Sequence, residues 1–107
     1  MLTKKTAINT VNNFVKEVQG TGLHLRKAIL FGSYAQSKQH KWSDIDVVLV
    51  ADEFTGLGFD DTAYFAKINN KSPYILIETK TYPTSYFKKG DAFIDEIKKT
   101  GIEIKLK

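Results

Sequence analysis

Three carboxylates are the residues of this chain whose types and spacing most clearly could do chemistry. Asp44 and Asp46 stand two positions apart at the start of a β-branched run that continues to Val50. Side chains alternate between the faces of a β-strand, so both carboxylates would project from the same side. Glu78 follows the apolar residues Ile75 to Ile77, where an unpaired buried carboxylate would need a cation or a solvent-open cleft. Three such acids predict a site for Mg²⁺ or Mn²⁺, which prefer oxygen ligands and complete their shells with substrate phosphates.

Gly32 and Ser33 lie where an apolar run ends and a mostly polar stretch of ten residues, 34–43, begins. A glycine allows close backbone approach, and the serine hydroxyl would stand beside exposed amide donors, as phosphate binding requires. Alone, a Gly-Ser pair is usually a turn and an Asp-x-Asp pair is usually a loop or a cap. Their order, with the pair ending one strand, Asp44 and Asp46 opening the next and an acid in a third, favours a functional site.

The residues next to these motifs extend the predicted phosphate-binding set. Tyr34 follows Ser33 directly, and Ser43 precedes the first aspartate. Tyr34 would either touch the nucleotide or cover the turn, and the sequence does not separate the two. His40 and Trp42 could stack on a base, although a tryptophan in this place is more often a lid packed on the core.

Hydrophobic periodicity predicts the elements that must position these residues. Apolar residues at three- and four-residue steps indicate a helix over 4–19 with Thr3 as its N-cap. Strands are predicted at 25–31, 44–50 and 74–80, and an edge strand at 102–106. Further helices are predicted from Asp60 or Asp61 toward Asn70, and from Pro83 to about Thr100 with an interruption at Gly90. The sum is an α+β fold with α/β-like alternation, a small mixed sheet and flanking helices.

Length and composition limit the class of protein. A chain of 107 residues is near the usual size of one domain, so a single domain over 1–107 is expected. With 42% hydrophobic residues the chain is not disordered, and the absence of cysteine excludes disulfides and thiolate metal sites. Its apolar stretches are too short to span a bilayer and its start is unlike a signal peptide, which predicts a soluble, cytoplasmic protein.

The charge balance of +4 suits anionic partners without naming one. Arg26 is the only arginine among sixteen basic residues, so bidentate reading of guanine is nearly absent. The lysines are scattered along the chain, which favours a solvated lysine-rich surface over a nucleic-acid-binding stripe. Nucleic acid is therefore not an expected partner.

The stretch from Leu30-Phe31-Gly32-Ser33 to Ser43-Asp44-Ile45-Asp46 resembles the minimal nucleotidyltransferases of the polymerase-β-like superfamily. Their signature is an apolar residue, Gly-Ser, and then Asp-x-Asp on the next strand. Glu78, followed by Pro83, resembles the third carboxylate of the family. The resemblance implies metal-dependent transfer of a nucleoside monophosphate, expected to be AMP from ATP, to an acceptor hydroxyl. It assigns the three acids to the metals and catalysis, and the Gly-Ser pair to the β- and γ-phosphates.

The same resemblance implies a biological setting. It suggests an antitoxin-like component that binds a HEPN-type helical protein and nucleotidylates it. Many family members carry arginine and glycine just after Gly-Ser, whereas this chain has Tyr34, Gln36 and Ser37. One alternative is therefore a catalytically weak module that masks a HEPN-type partner, and a second is a basic nucleic-acid-binding domain. The acceptor, the NTP preference and the oligomeric state, including a homo-oligomer, are left open.

Overall fold

A four-stranded mixed sheet with helices on both faces is the architecture of the computed structural model, which describes residues 2–107. The strands are β1 (Leu25–Phe31), β2 (Ile45–Ala51), β3 (Ile77–Pro83) and β4 (Ile102–Glu103). The helices are α1 (Lys4–Gln19), α2 (Gly58–Thr62), α3 (Ala66–Asn69), α4 (Thr84–Lys89) and α5 (Ala92–Thr100), with a 3₁₀ turn at Ser72–Tyr74. The sheet order is β3-β2-β1-β4, with β2 and β3 parallel and the other pairs antiparallel. The predicted fold class is confirmed.

Helix α1 covers one face of the sheet and packs into the larger of the two clusters of buried side chains. It begins after Thr3, whose side-chain oxygen accepts a hydrogen bond from the amide of Thr6 at 3.1 Å, as the sequence predicts. Its buried stripe packs against alternate residues of the strands. The buried strand residues of this face are Leu25, Ala28, Leu30, Ile45, Val47, Leu49, Ala51 and Ile77.

Helices α4 and α5 cover the opposite face. Phe87, Ile94 and Ile97 pack there on the other alternate strand residues, which are Ile29, Val48, Val50 and Tyr82. Gly90 separates the two helices with φ +81°, a left-handed conformation that favours glycine, and this confirms the predicted interruption. Within residues 2–107, no helix is long and apolar enough to cross a membrane.

The third strand begins three residues later than the sequence predicts. Residues 74–76 were expected in the strand, but Tyr74 ends the 3₁₀ turn and is buried. Its hydroxyl donates to Glu17 of α1, and the side-chain amide of Asn69 donates to the carbonyls of Tyr74 and Ile77 at 3.0 and 3.1 Å. These contacts bind Tyr74 to α1 and Asn69, so residues 74–76 do not belong to the paired register of β2 and β3, which begins at Ile77. β4 is also shorter than the predicted 102–106, since only two residues pair with β1.

The helix predicted from Asp60 or Asp61 toward Asn70 is wrong in its start and its continuity. α2 begins at Gly58, has no side-chain cap, and is separated from α3 by a turn. The carboxylate of Asp61 does not cap this helix. It bends back to the loop at Thr55 and Gly56, which it holds beside β3.

Candidate active site

Asp46 and Glu78 are neighbours across the two parallel strands. They are register partners, each being the second residue of its strand, so both lie at the same end of the sheet. Adjacent strands run about 4.8 Å apart, and register partners present their side chains on one face. That face is the one covered by α4 and α5, because Val48 and Val50 alternate in phase with Asp46.

The electrostatics of Asp46 show that the three predicted acids influence one another. Burial, and then the negative charges of Glu78 and Asp44, raise the pKa of the half-buried Asp46 carboxyl above its ordinary value. Asp44 and Glu78 are exposed at the rim. A cation placed among these carboxylates would relieve both the repulsion and the lost hydration.

Gly32 lies directly against the Asp46 carboxylate. Its φ is +75°, and a Cβ built on it would overlap Oδ2 of Asp46 and stand 3.2 Å from Cγ. Phe31, the residue before it, is the register partner of Asp46 on β1. Any other residue would therefore push the carboxylate aside and strain the backbone, which is a physical reason for the glycine of the Gly-Ser pair.

Ser33 begins a tight turn beside the same acid. The carbonyl of Gly32 accepts from the amide of Gln36 at 3.2 Å, and that of Ser33 accepts from the amide of Lys38 at 2.8 Å. Ser43 shapes the other end of the polar loop, since its hydroxyl accepts from the amide of His40 at 2.9 Å. The Ser43 hydroxyl thus already has a partner within the loop.

Two aromatic residues of the loop differ in their surroundings. Tyr34 is 2% exposed and belongs to the main core, so its ring covers the turn. Trp42 is 79% exposed, which contradicts the expectation of a lid packed on the core. Tyr34, Trp42, Ser43 and Asp44 nonetheless line one pocket of about 520 Å³ at this end of the sheet.

The donor set fits a hard divalent ion by its chemistry. Asp46 and Glu78 are adjacent carboxylates, Gly32 gives the Asp46 carboxylate its place in the turn, and the exposed side chains of Asp44 and Glu78 are free to turn. As placed, no three histidine, aspartate or glutamate side chains of residues 2–107 stand close enough to coordinate one ion. The side chains of the rim must therefore turn inward for all three acids to share a metal.

Sequence reasoning missed Lys80. It lies two residues after Glu78 on the same strand and therefore on the same face. Its ammonium stands 5.4 Å from the ring centroid of Phe93 and 5.6 Å from that of Tyr82. The period-two spacing of Glu78 and Lys80 was a signal in the sequence for a cation beside the acids.

Comparison with known proteins gives the class to which this fold and site belong. The family model of the nucleotidyltransferase domain matches residues 8–105, and the chain therefore belongs to that family. A crystal structure at 1.40 Å resolution of a Sulfolobus solfataricus protein, itself assigned only provisionally as a nucleotidyltransferase, has the same fold with a TM-score of 0.68. The two are 18% identical, and the match covers 94% of this chain and 80% of the other. No curated protein matches the chain.

Family membership supports a general activity. Nucleotidyltransferases transfer a nucleoside monophosphate, and their domains generally use divalent metal ions. The resemblance seen in the Gly-Ser and Asp-x-Asp motifs is thus confirmed at the level of the family.

Proposed function

We propose that this protein transfers AMP from ATP to a hydroxyl of a HEPN-type helical partner and acts as its antitoxin-like component. The observation that supports this most is the row formed by the turn after Phe31, Asp46 and Glu78, in which two adjacent carboxylates lie beside a glycine whose missing side chain gives the Asp46 carboxylate its place. The site presents three acids beside a tight turn, with Lys41 and Lys80 as the cations near it, whereas the other lysines are scattered along the chain. Nucleotide chemistry therefore fits it better than nucleic-acid binding.

Each residue has a defined role in the proposed reaction. Asp44, Asp46 and Glu78 hold Mg²⁺ or Mn²⁺, and Gly32 and Ser33 hold the β- and γ-phosphates. When bound, the divalent ion lowers the pKa of the acceptor hydroxyl and offsets charge on the leaving group. The acceptor oxygen bonds to the α-phosphorus, the bond to the bridging oxygen breaks, and pyrophosphate leaves while the hydroxyl proton passes to water. Lys80 supplies a cation on the same face of β3 as Glu78, in addition to Lys38 and Lys41 of a loop that has no arginine.

A partner is part of the proposal because the acceptor must be oriented. The sheet end offers phosphate and metal contacts, and orientation can be worth several kcal/mol of a barrier, on the order of 7–11 in well-oriented systems. A tyrosine or another hydroxyl on the partner is the proposed acceptor. The net charge of +4 would favour an acidic face on that partner, chiefly by steering.

The experiment is a transfer assay on the purified pair with Mg²⁺ and ATP labelled at the α-phosphate. We expect label on the partner, because transfer of AMP carries the α-phosphate with it. ATP labelled at the γ-phosphate should leave the partner unlabelled, whereas a phosphoryl transferase would give the opposite result with both labels. Glu78→Gln should abolish labelling. Glu96→Gln, the same change at an exposed position of α5, should leave it intact.

The masking alternative has support from one observation, since the three acids do not converge in the described residues 2–107. If the complex forms and all label stays in ATP, masking replaces transfer as the function.

A further inference from the structure

The pocket beside Asp44 has apolar walls that the proposed transfer does not use. It has a volume of about 520 Å³ and is lined by Leu2, Tyr34, Lys41, Trp42, Asp44 and Leu76, among others. We infer that this pocket receives the base of the donor nucleotide, stacked on Trp42, and that it selects purines over pyrimidines. The inference rests on the proposed function, because it concerns the same nucleotide.

The turn positions the backbone of Trp42, and the indole ring is exposed to solvent. The amide of Ser43 donates to the carbonyl of His40 at 3.0 Å, and the amide of Trp42 donates to the ring of His40 at 3.3 Å. The side chain is nevertheless 79% exposed. The backbone of Trp42 is thus positioned by the turn, and its uncovered indole offers a large flat surface on which a base can stack.

A second apolar side chain lines the same pocket. Leu76 is 48% exposed there, and its carbonyl accepts from the amide of Ile45 at 2.9 Å, which fixes it beside the start of β2. Trp42 and Leu76 thus present two exposed apolar surfaces to one space. The volume is within the range of about 300–1,000 Å³ typical of small-molecule sites.

The pocket adjoins the residues proposed to hold the phosphates and the metal, of which only Asp44 lines it. Asp44 contributes to its lining, and Tyr34, which also lines it, is the residue directly after Ser33. A nucleotide whose phosphates lie between Ser33 and Asp44 would therefore reach this space with its nucleoside. The ammonium of Lys41 stands 5.1 Å from the Trp42 ring centroid and adds positive charge at the rim.

The lining predicts which bases are distinguished. The Ser43 hydroxyl already accepts from the amide of His40. Asp44 is assigned to the metal and Lys41 lies at the rim, so the stacked surface is the main contact that this pocket offers a base. Selection then depends on stacked area, which is larger for a purine than for a pyrimidine. MgATP and MgGTP should bind within a few-fold of each other, and both more tightly than MgUTP.

The test compares MgATP with magnesium tripolyphosphate, which has the phosphates but no base, by calorimetry. Trp42→Ala should weaken MgATP binding about tenfold and leave tripolyphosphate binding unchanged, since stacking contributes on this scale. Trp42→Phe should restore most of the loss, and Leu76→Ala should give a smaller loss. The matched control is Phe59→Ala, which removes an aromatic side chain that is 93% exposed and not among the residues lining the pocket.

Fluorescence gives an independent readout, because Trp42 is the only tryptophan of the chain. MgATP should quench its emission and tripolyphosphate should not. Unchanged MgATP affinity in Trp42→Ala, or equal affinities of the parent for MgATP and MgUTP, would overturn the inference and leave the proposed function standing. If the parent binds neither MgATP nor tripolyphosphate, both the inference and the proposed function fail.

Discussion

Asp61 and Asp46 are two carboxylates beside the same strand, β3, in opposite environments. Asp61 is fully buried and accepts four hydrogen bonds, from the amide and hydroxyl of Thr55, the amide of Gly56 and the hydroxyl of Thr81. Asp46 is half-buried beside two further acids. The first carboxylate is stabilised by its own chain, and the second is surrounded by like charge.

Their pKa directions follow from this difference. Burial pushes the pKa of Asp61 upward, but the hydrogen bonds from Thr55, Thr81 and Gly56 outweigh it and hold the pKa below its ordinary value. Burial also raises the pKa of Asp46, and there the charges of Glu78 and Asp44 add to the rise. A buried acid satisfied by its own fold is structural, whereas an acid held near like charges gains most from a ligand cation.

The largest expected effect on stability is the loss of the Asp61 carboxylate. Asp61→Ala should lower the free energy of unfolding by about 3 kcal/mol, because it leaves the amides of Thr55 and Gly56 without their acceptor. Urea denaturation measures this. Asp60→Ala, at the exposed neighbour, should stay within about 0.5 kcal/mol of the parent. Equal stabilities of Asp61→Ala and Asp60→Ala would contradict the structural role of the Asp61 carboxylate.

A smaller effect of opposite sign is expected at Asp46. In chelator, Asp46→Asn should raise the melting temperature by about 2–4 °C, because it relieves repulsion among the three acids. Added Mg²⁺ should stabilise the variant less than the parent, since a metal that binds the native state stabilises it by linkage. A variant that melts below the parent in chelator would contradict the repulsion.

The sequence predicts the elements with strong periodicity and the order of the motifs. The limits of α1 and β1 are those expected from pattern, since every apolar residue of α1 points to one core. The order of Gly32 and Ser33, which end one strand, and Asp44 and Asp46, which open the next, predicted a functional site. The structure places these residues at one end of the sheet. Element boundaries set by distant contacts were not predictable, and β3 is the example. Its start depends on the contact of Tyr74 with Glu17, which are far apart in the chain.

The surroundings of single side chains were also beyond the sequence. The apolar run before Glu78 left open either a cation beside this carboxylate or a solvent-open cleft, and the structure places Glu78 exposed at the rim of the sheet. Ile75 and Leu76 are also exposed, because they precede β3 and lie outside the sheet. Asp60 or Asp61 was expected to cap a helix, although the partners of Asp61 come from a loop and from Thr81, twenty positions away. Alternation predicted only that Asp44 and Asp46 share one side of their strand. The pairing of Asp46 with Glu78 depends on the register of β2 with β3, which the structure provides.

The smallest expected effect concerns the dependence of stability on pH. The contributions of Asp61 and Asp46 to the free energy of unfolding should change in opposite directions as pH rises. Because the folded-state pKa of Asp61 is lowered, its contribution is fully present above the unfolded value, about 3.9, and is lost as pH falls through the folded pKa. Because the folded-state pKa of Asp46 is raised, its contribution is fully present below the unfolded value and is lost as pH rises through the folded pKa.

Unfolding in urea at pH 7, 5, 4 and 3, with chelator present, tests both signs against the matched variants. At pH 7 the parent should be more stable than Asp61→Asn and less stable than Asp46→Asn. Acidification below about pH 4 should narrow the first difference, because the parent loses the ionised Asp61. It should also narrow the second, beginning at higher pH, because protonated Asp46 no longer repels its neighbours. If the difference from Asp61→Asn widens on acidification, the hydrogen bonds to Asp61 do not favour its ionised form. If the difference from Asp46→Asn is constant with pH, its origin is packing and not charge.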